Sequence, residues 1–191
     1  MTALTSRPGG PPTSQTAGAP QTLASIVFPG EGSTYALLDA AANPDLLDWL
    51  YRCLPEFECL YEGEVEPDVA EVAPYLVAVP AEGEFTSWLR ERGWGKNWGI
   101  YVLSTGSFRD MRQHLRRFVK VHTEEGTPML FRFYDPRVLR TYLPTCNPGE
   151  VAEFFGPAQA FVAEAEDPGS AMRFENSGGK LKTVTIKLKE G

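Results

Sequence analysis

The stretch from Thr127 to Tyr142, Thr-Pro-Met-Leu-Phe-Arg-Phe-Tyr-Asp-Pro-Arg-Val-Leu-Arg-Thr-Tyr, narrows the choice of fold more than any other. Residues Met129 to Asp135 predict a strand, with Met129, Phe131 and Phe133 on one face and Leu130, Arg132 and Tyr134 on the other. An arginine in such an apolar run has to find an anionic partner if the strand is buried. Asp135-Pro136 ends the run, because proline cannot donate to a ladder and holds the residue before it extended. A short helix over Arg137 to Tyr142 follows, with Asp135 as its cap and Pro136 at its first position. Arg132 and Asp135 are therefore either parts of a structural ion-pair system or parts of a site.

The remaining segments predict an α/β arrangement. Thr34 to Asp39 is a short apolar strand ending on a carboxylate, near-continuous and so buried on both faces. Asn43-Pro44 opens a helix carrying Leu46, Leu47, Leu50 and Leu54, which Pro55 stops. Strands are expected at Phe57 to Tyr61, Ala73 to Pro80 and Ile100 to Ser104, with an acidic loop from Glu62 to Glu71 and a helix from Phe85 to Arg92. Ser107 caps a long helix reaching His122, and Asn147-Pro148 starts another through Phe154 and Phe155. Ala171 to Glu175 and Leu181 to Leu188 form a closing hairpin with a lysine-rich edge. Strands alternating with helices predict a mixed, largely parallel central sheet flanked by helices, with a C-terminal β-hairpin. Residues 1–25, rich in Pro, Gly and Ser, read as a disordered leader, 26–160 as the α/β domain and 161–191 as a C-terminal extension.

Chemistry-bearing patterns are sparse. The three cysteines, Cys53, Cys59 and Cys146, form no CxxC pair and read as reduced thiols of a cytoplasmic protein. His114 and His122 are eight residues apart on one predicted helix, too far to share a metal, and no HExxH or phosphate loop occurs, so no cofactor or metal is expected. Asp39, Asp135 and Arg132 at strand ends could serve a small α/β enzyme, since ligands bind at the carboxyl ends of strands in open sheets, or could hold those ends in register. The Gly93 to Gly99 loop offers Trp94 and Trp98 as partner anchors or as a lid on the core. Arg109, Arg112 and Arg116 make a basic stripe on the long helix, which could meet an acidic partner or be solvated. The net charge of −7 argues against nucleic acid, and no apolar run is long enough for a membrane span.

Several segments in order resemble a known family: Tyr35-Ala-Leu-Leu-Asp39, Leu60-Tyr61-x-Gly63, Ala73-Pro74-Tyr75-Leu76-Val77, Trp98-Gly99-Ile100, His114-Leu115-Arg116, Phe131-Arg-Phe-Tyr-Asp-Pro-Arg-Val-Leu139 and Phe154-Phe155-Gly156-Pro157. Together, over about residues 34–157, they resemble the bacterial type VI secretion effector-adaptor domain, long catalogued as a domain of unknown function. The resemblance implies a cytoplasmic adaptor or chaperone, not an enzyme. It would bind a toxic effector and help to load it on the spike protein of the valine-glycine-repeat type. It carries over no catalytic residues; Asp39, Arg132, Asp135 and Pro136 match only as family-typical, structural positions.

Overall fold

A computed structural model of the chain describes residues 13–16, 18–122 and 126–189. In chain order the strands and helices are β1 (Thr13–Thr16), α1 (Leu23–Val27), β2 (Ser33–Asp39), α2 (Leu46–Cys53), β3 (Phe57–Cys59), α3 (Pro67–Ala70) and β4 (Pro74–Ala78). Then come α4 (Glu84–Trp88), which runs into a π-helical turn at Leu89–Gly93, β5 (Gly99–Ser104), α5 (Phe108–Leu115), and the small hairpin β6 (Lys120–His122) and β7 (Pro128–Leu130). The chain closes with α6 (Pro136–Tyr142), α7 (Pro148–Phe155), β8 (Ala158–Glu164), β9 (Ser170–Ser177) and β10 (Lys180–Lys187). Of the expected disordered leader, residues 1–12 and 17 lie outside the described residues, whereas Thr13–Thr16 form β1 and Leu23–Val27 form α1.

The main sheet has the strand order β1-β10-β9-β8-β5-β2-β4-β3. The expectation of a largely parallel sheet is overturned. Every pairing from β10 across to β3 is antiparallel, and only the four-residue β1 runs parallel to its neighbour. The crossover helices explain how the sequence misleads. β2 and β3 point the same way with α2 between them, but β4 lies in the gap and pairs with both. β4 and β5 likewise point the same way on either side of β2. Each βαβ unit is therefore split by an antiparallel strand, an arrangement whose local periodicity and connection lengths match those of a parallel sheet.

Helices cover both faces. The alternation of β2 sends Tyr35 and Leu37 into one cluster with Met111, Phe133, Phe154 and Phe161 from the α5–α7 side. Ala36 and Leu38 enter a second cluster with Leu46, Leu50, Phe85 and Trp88 from the α2–α4 side. This explains why β2 reads as continuously apolar. β8 is hydrogen-bonded to β5 and β9, so the sheet runs without interruption through residue 160 into the closing hairpin.

Two local expectations fail. The predicted strand over Met129 to Asp135 stops at Leu130, because the Asp135 amide donates to the Arg132 carbonyl at 3.0 Å and closes a turn. Phe133 and Tyr134, assigned to opposite faces, are both buried. The helix from Ser107 ends at Leu115, passes through a 3₁₀ turn at Arg116–Phe118 capped by Val119, and becomes β6, where β-branched Val121 lies between Lys120 and His122.

β5 lies against β2 at Gly99, where there is no room for a side chain. A Cβ there would lie 2.1 Å from the Leu37 carbonyl oxygen, and backbone atoms cannot yield as a flexible side chain can. Gly99→Ala is expected to cost about 1–3 kcal/mol in a urea denaturation series through forced separation of the two central strands. An unchanged urea midpoint would contradict this packing.

Candidate functional site

Asp39 ends β2, which is buried in all but its first residue, and its side chain is only 2% exposed. Its Oδ1 accepts from the Ala41 amide at 3.0 Å, which caps the 3₁₀ turn Ala40–Ala42, and its Oδ2 accepts from the Arg132 guanidinium. That hydrogen bond holds the Arg132 guanidinium above its usual value, against the opposing effect of burial. Arg132 itself is half exposed, so one member of the pair is dry and the other wet. Tyr61 and Tyr134 complete the surroundings. Burial pushes both phenols up, and the Asp39 charge adds to the effect.

Asp135 is bound by a different arginine. Its carboxylate caps α6 by accepting from the Arg137 amide at 2.9 Å, and it accepts from the Arg137 side chain at 3.0 Å (Nε to Oδ1) and 2.6 Å (Nη2 to Oδ2). Burial raises the Asp135 carboxyl, but the Arg137 hydrogen bonds and the Arg137 and Arg132 charges outweigh it, leaving the group below the usual range. Pro136 occupies the first helical position and is buried. Arg132, Asp39, Asp135 and Pro136 thus lie together as two arginine–carboxylate pairs joined by one turn. Each carboxylate already has a guanidinium and a backbone donor, and for Asp135 this favours the ionised state and disfavours its use as a base.

The Trp94 and Trp98 loop folds against the protein. Trp98 lies 5.4 Å from the Trp88 ring, Trp94 packs on the same core cluster, and the Trp94 indole donates to the Pro168 carbonyl at 2.9 Å. Beneath the loop is Glu164, a residue that the sequence reading did not single out. It is buried, and its carboxylate accepts from the Asn97 amide at 3.1 Å to each oxygen, with the Gly95 and Lys96 amides also facing it. Such successive amides form an anion-holding nest, and Asn97 adopts the positive φ of 54° that shapes it. Arg140 on α6 donates to the Glu164 carbonyl at 2.6 Å. The available sequence signal was the pattern Phe161-Val-Ala-Glu164, an apolar strand ending on a carboxylate as Tyr35-Ala-Leu-Leu-Asp39 does.

The basic stripe is largely consumed internally. Arg112 pairs with Glu58 at 2.7 Å and donates to the Cys59 carbonyl, and Arg116 pairs with Glu62 at 2.8 Å. Arg112 ties α5, and Arg116 the 3₁₀ turn after it, to β3 and the loop beyond; Arg109 alone of the three is exposed with no ion pair among the described residues. His114 is buried against α7, its Nε2 2.9 Å from the Phe154 carbonyl, and burial lowers its pKa despite that bond. Burial raises the thiols of Cys53, Cys59 and Cys146, which keeps them protonated. Among the described residues no group of His, Cys, Asp and Glu could hold a metal ion, and no helix is long and apolar enough to cross a membrane.

These features define a class: an antiparallel sheet clad by helices on both faces, with ion pairs and caps locking its strand ends. A family model described as a domain of unknown function, DUF4123, matches residues 34–153, and the chain belongs to that family. No curated protein and no solved structure matches it. The matched span begins in β2 and ends within α7, so β8, β9 and β10 lie beyond it although β8 is paired to β5.

Glu164 yields a pH test. Burial raises its carboxyl above the usual range, and the Asn97, Gly95 and Lys96 amides with the Arg140 charge pull it back without cancelling that rise. A raised folded value favours the protonated form. The group's contribution to stability is therefore full below the unfolded value and is lost as pH rises through the folded one. Glu164→Gln should accordingly gain stability relative to the wild type as pH goes from about 4 to about 7 in urea denaturation. A relative loss over that interval would contradict the assignment.

Proposed function

We propose that the chain is a cytoplasmic adaptor that binds a type VI secretion effector and helps to load it on the spike protein of the valine-glycine-repeat type. Membership in the family supports this, together with the resemblance of the Phe131 to Leu139 run and its companion segments to effector adaptors. The observation that carries the reading is the placement of exposed apolar side chains. Tyr51, Leu54, Val69 and Val72 are exposed around α2 and α3, and Met129 and Leu130 are exposed on the β6–β7 hairpin. Large apolar residues exposed in groups favour a protein that is covered by another. The polar residues at the strand ends bind one another, which supports a scaffold in place of a reaction centre.

The Trp94 and Trp98 loop carries less of this reading than its sequence suggests, because both rings pack on the core. The two apolar groups are the better contact surfaces.

The test is secretion. Deleting the gene should abolish export of one effector while other effectors of the same apparatus are still released, and the tagged chain should co-purify that effector from cells cross-linked before lysis. Unchanged export of every effector in the deletion strain would contradict the role.

A further inference from the structure

The surface formed by α2, β3 and α3 combines a strong negative charge with exposed apolar side chains. Between Asp45 and Val72 lie nine of the chain's 25 carboxylates and one of its 18 Lys and Arg residues, a net charge of −8 against +1 for everything else. Four of the six large apolar side chains exposed among the described residues belong to the same segment. They are linked through half-buried and buried aromatics. Tyr51 meets Phe57 edge-on at 5.6 Å, Phe57 lies 6.2 Å from Tyr75, and the Tyr75 hydroxyl donates to the Ala70 carbonyl of α3, beside Val69 and Val72.

Leu54 points to the use of this surface. It caps the C-terminus of α2 in the left-handed conformation, φ 49° and ψ 46°, where glycine is the usual residue. It is also the most exposed large apolar side chain described, at 71%. A leucine at that position is disfavoured twice, by its backbone and by its exposure to water. Backbone strain of this kind collects at functional sites. The charge is equally uncommitted. Glu58 and Glu62 pair with Arg112 and Arg116, but Glu56, Glu64, Glu66, Asp68 and Glu71 are exposed and have no ion pair among the described residues. The one basic residue of the segment, Arg52, faces Glu84 and the Trp49 ring.

We infer that this face docks a segment of a partner protein in which Lys or Arg residues flank large apolar side chains. The apolar groups of the segment would cover Leu54, Tyr51 and Val72, and its cations would meet the carboxylates of the loop before α3. Charge complementarity sets the sign of the partner and speeds encounter. Contact is through side chains and not by strand addition, because Arg112 caps the outward Cys59 carbonyl of the edge strand at 3.3 and 3.2 Å. The inference deepens the adaptor reading and rests on it for the identity of the partner, but its chemistry stands on the surface alone.

The test uses the purified full chain and two labelled synthetic peptides. In one, Lys and Arg alternate with Leu and Val; in the other, Glu replaces each basic residue. Fluorescence anisotropy should show binding of the basic peptide and not of the acidic one. Leu54→Gly should raise the melting temperature, since glycine relieves the left-handed cap, and yet weaken binding about tenfold, equivalent to about 1.4 kcal/mol. Tyr51→Ser and the triple variant Glu64→Gln, Glu66→Gln, Asp68→Asn should weaken it as well. Equal binding of the two peptides, or binding unaffected by both Leu54→Gly and Tyr51→Ser, would overturn the proposal. The two readings fail separately. An effector captured equally well by Leu54→Gly would overturn this surface and leave the adaptor role. Peptide binding by a chain whose deletion alters no export would leave the surface and remove the role.

Discussion

A carboxylate buried at the end of a strand with no solvent on either face needs donors, and in this protein the needs of Asp39 organise the surrounding chain. Its side chain takes the Ala41 amide and the Arg132 guanidinium, while its own amide donates to the Trp98 carbonyl at 2.8 Å. To reach Asp39, Arg132 leaves the hairpin and sits at the start of a turn that Asp135 closes. Asp135 then caps α6, and α6 carries Arg140 to the Glu164 carbonyl. Glu164 in turn accepts from Asn97, the neighbour of Trp98. The chain of polar contacts thus returns to Asp39, linking β2, the Arg132 turn, α6, β8 and the tryptophan loop in one circuit. Removing one member of a buried pair leaves an uncompensated charge, which is why such circuits tolerate loss poorly even when their net contribution is small.

Much of this was legible locally. The Asp135-Pro136 and Asn147-Pro148 caps form as their residue types dictate, the latter as a full capping box with Glu150, and Ser107 caps α5. The two-faced burial of β2 follows from its unbroken apolar run. Strand direction was not legible, because periodicity reports which face a residue takes and says nothing of which way the neighbour runs. The insertion of β4 between β2 and β3 is a tertiary decision. The run Phe131-Arg-Phe-Tyr misled for a related reason. It has the composition of a strand, but the pull of Asp39 on Arg132 and the cap at Asp135 bend it into a turn that buries two consecutive aromatics.

The pairing of site residues was half legible. The sequence suggested that Arg132 would meet Asp39 or Asp135, and it meets Asp39; the partner of Asp135 is Arg137, two residues on, which spacing alone did not favour. Glu164 was hidden because its donors are backbone amides, which carry no residue signature. The basic stripe was visible as a pattern, yet two of its arginines are spent on Glu58 and Glu62, carboxylates from the opposite end of a long connection. The result is a molecule whose polar chemistry faces inward while acidic charge and apolar groups collect on the α2–β3–α3 surface. That distribution suits a scaffold for another chain.

Arg132 and Asp39 act on each other as structure. A double-mutant cycle with Asp39→Ala, Arg132→Ala and the combined variant, read by urea denaturation, tests it most directly. A coupling of about 1–3 kcal/mol is expected, with Arg132→Ala alone clearly destabilising because the dry carboxylate is left unpaired. Additivity within about 0.5 kcal/mol, or an Arg132→Ala protein as stable as the wild type, would contradict it.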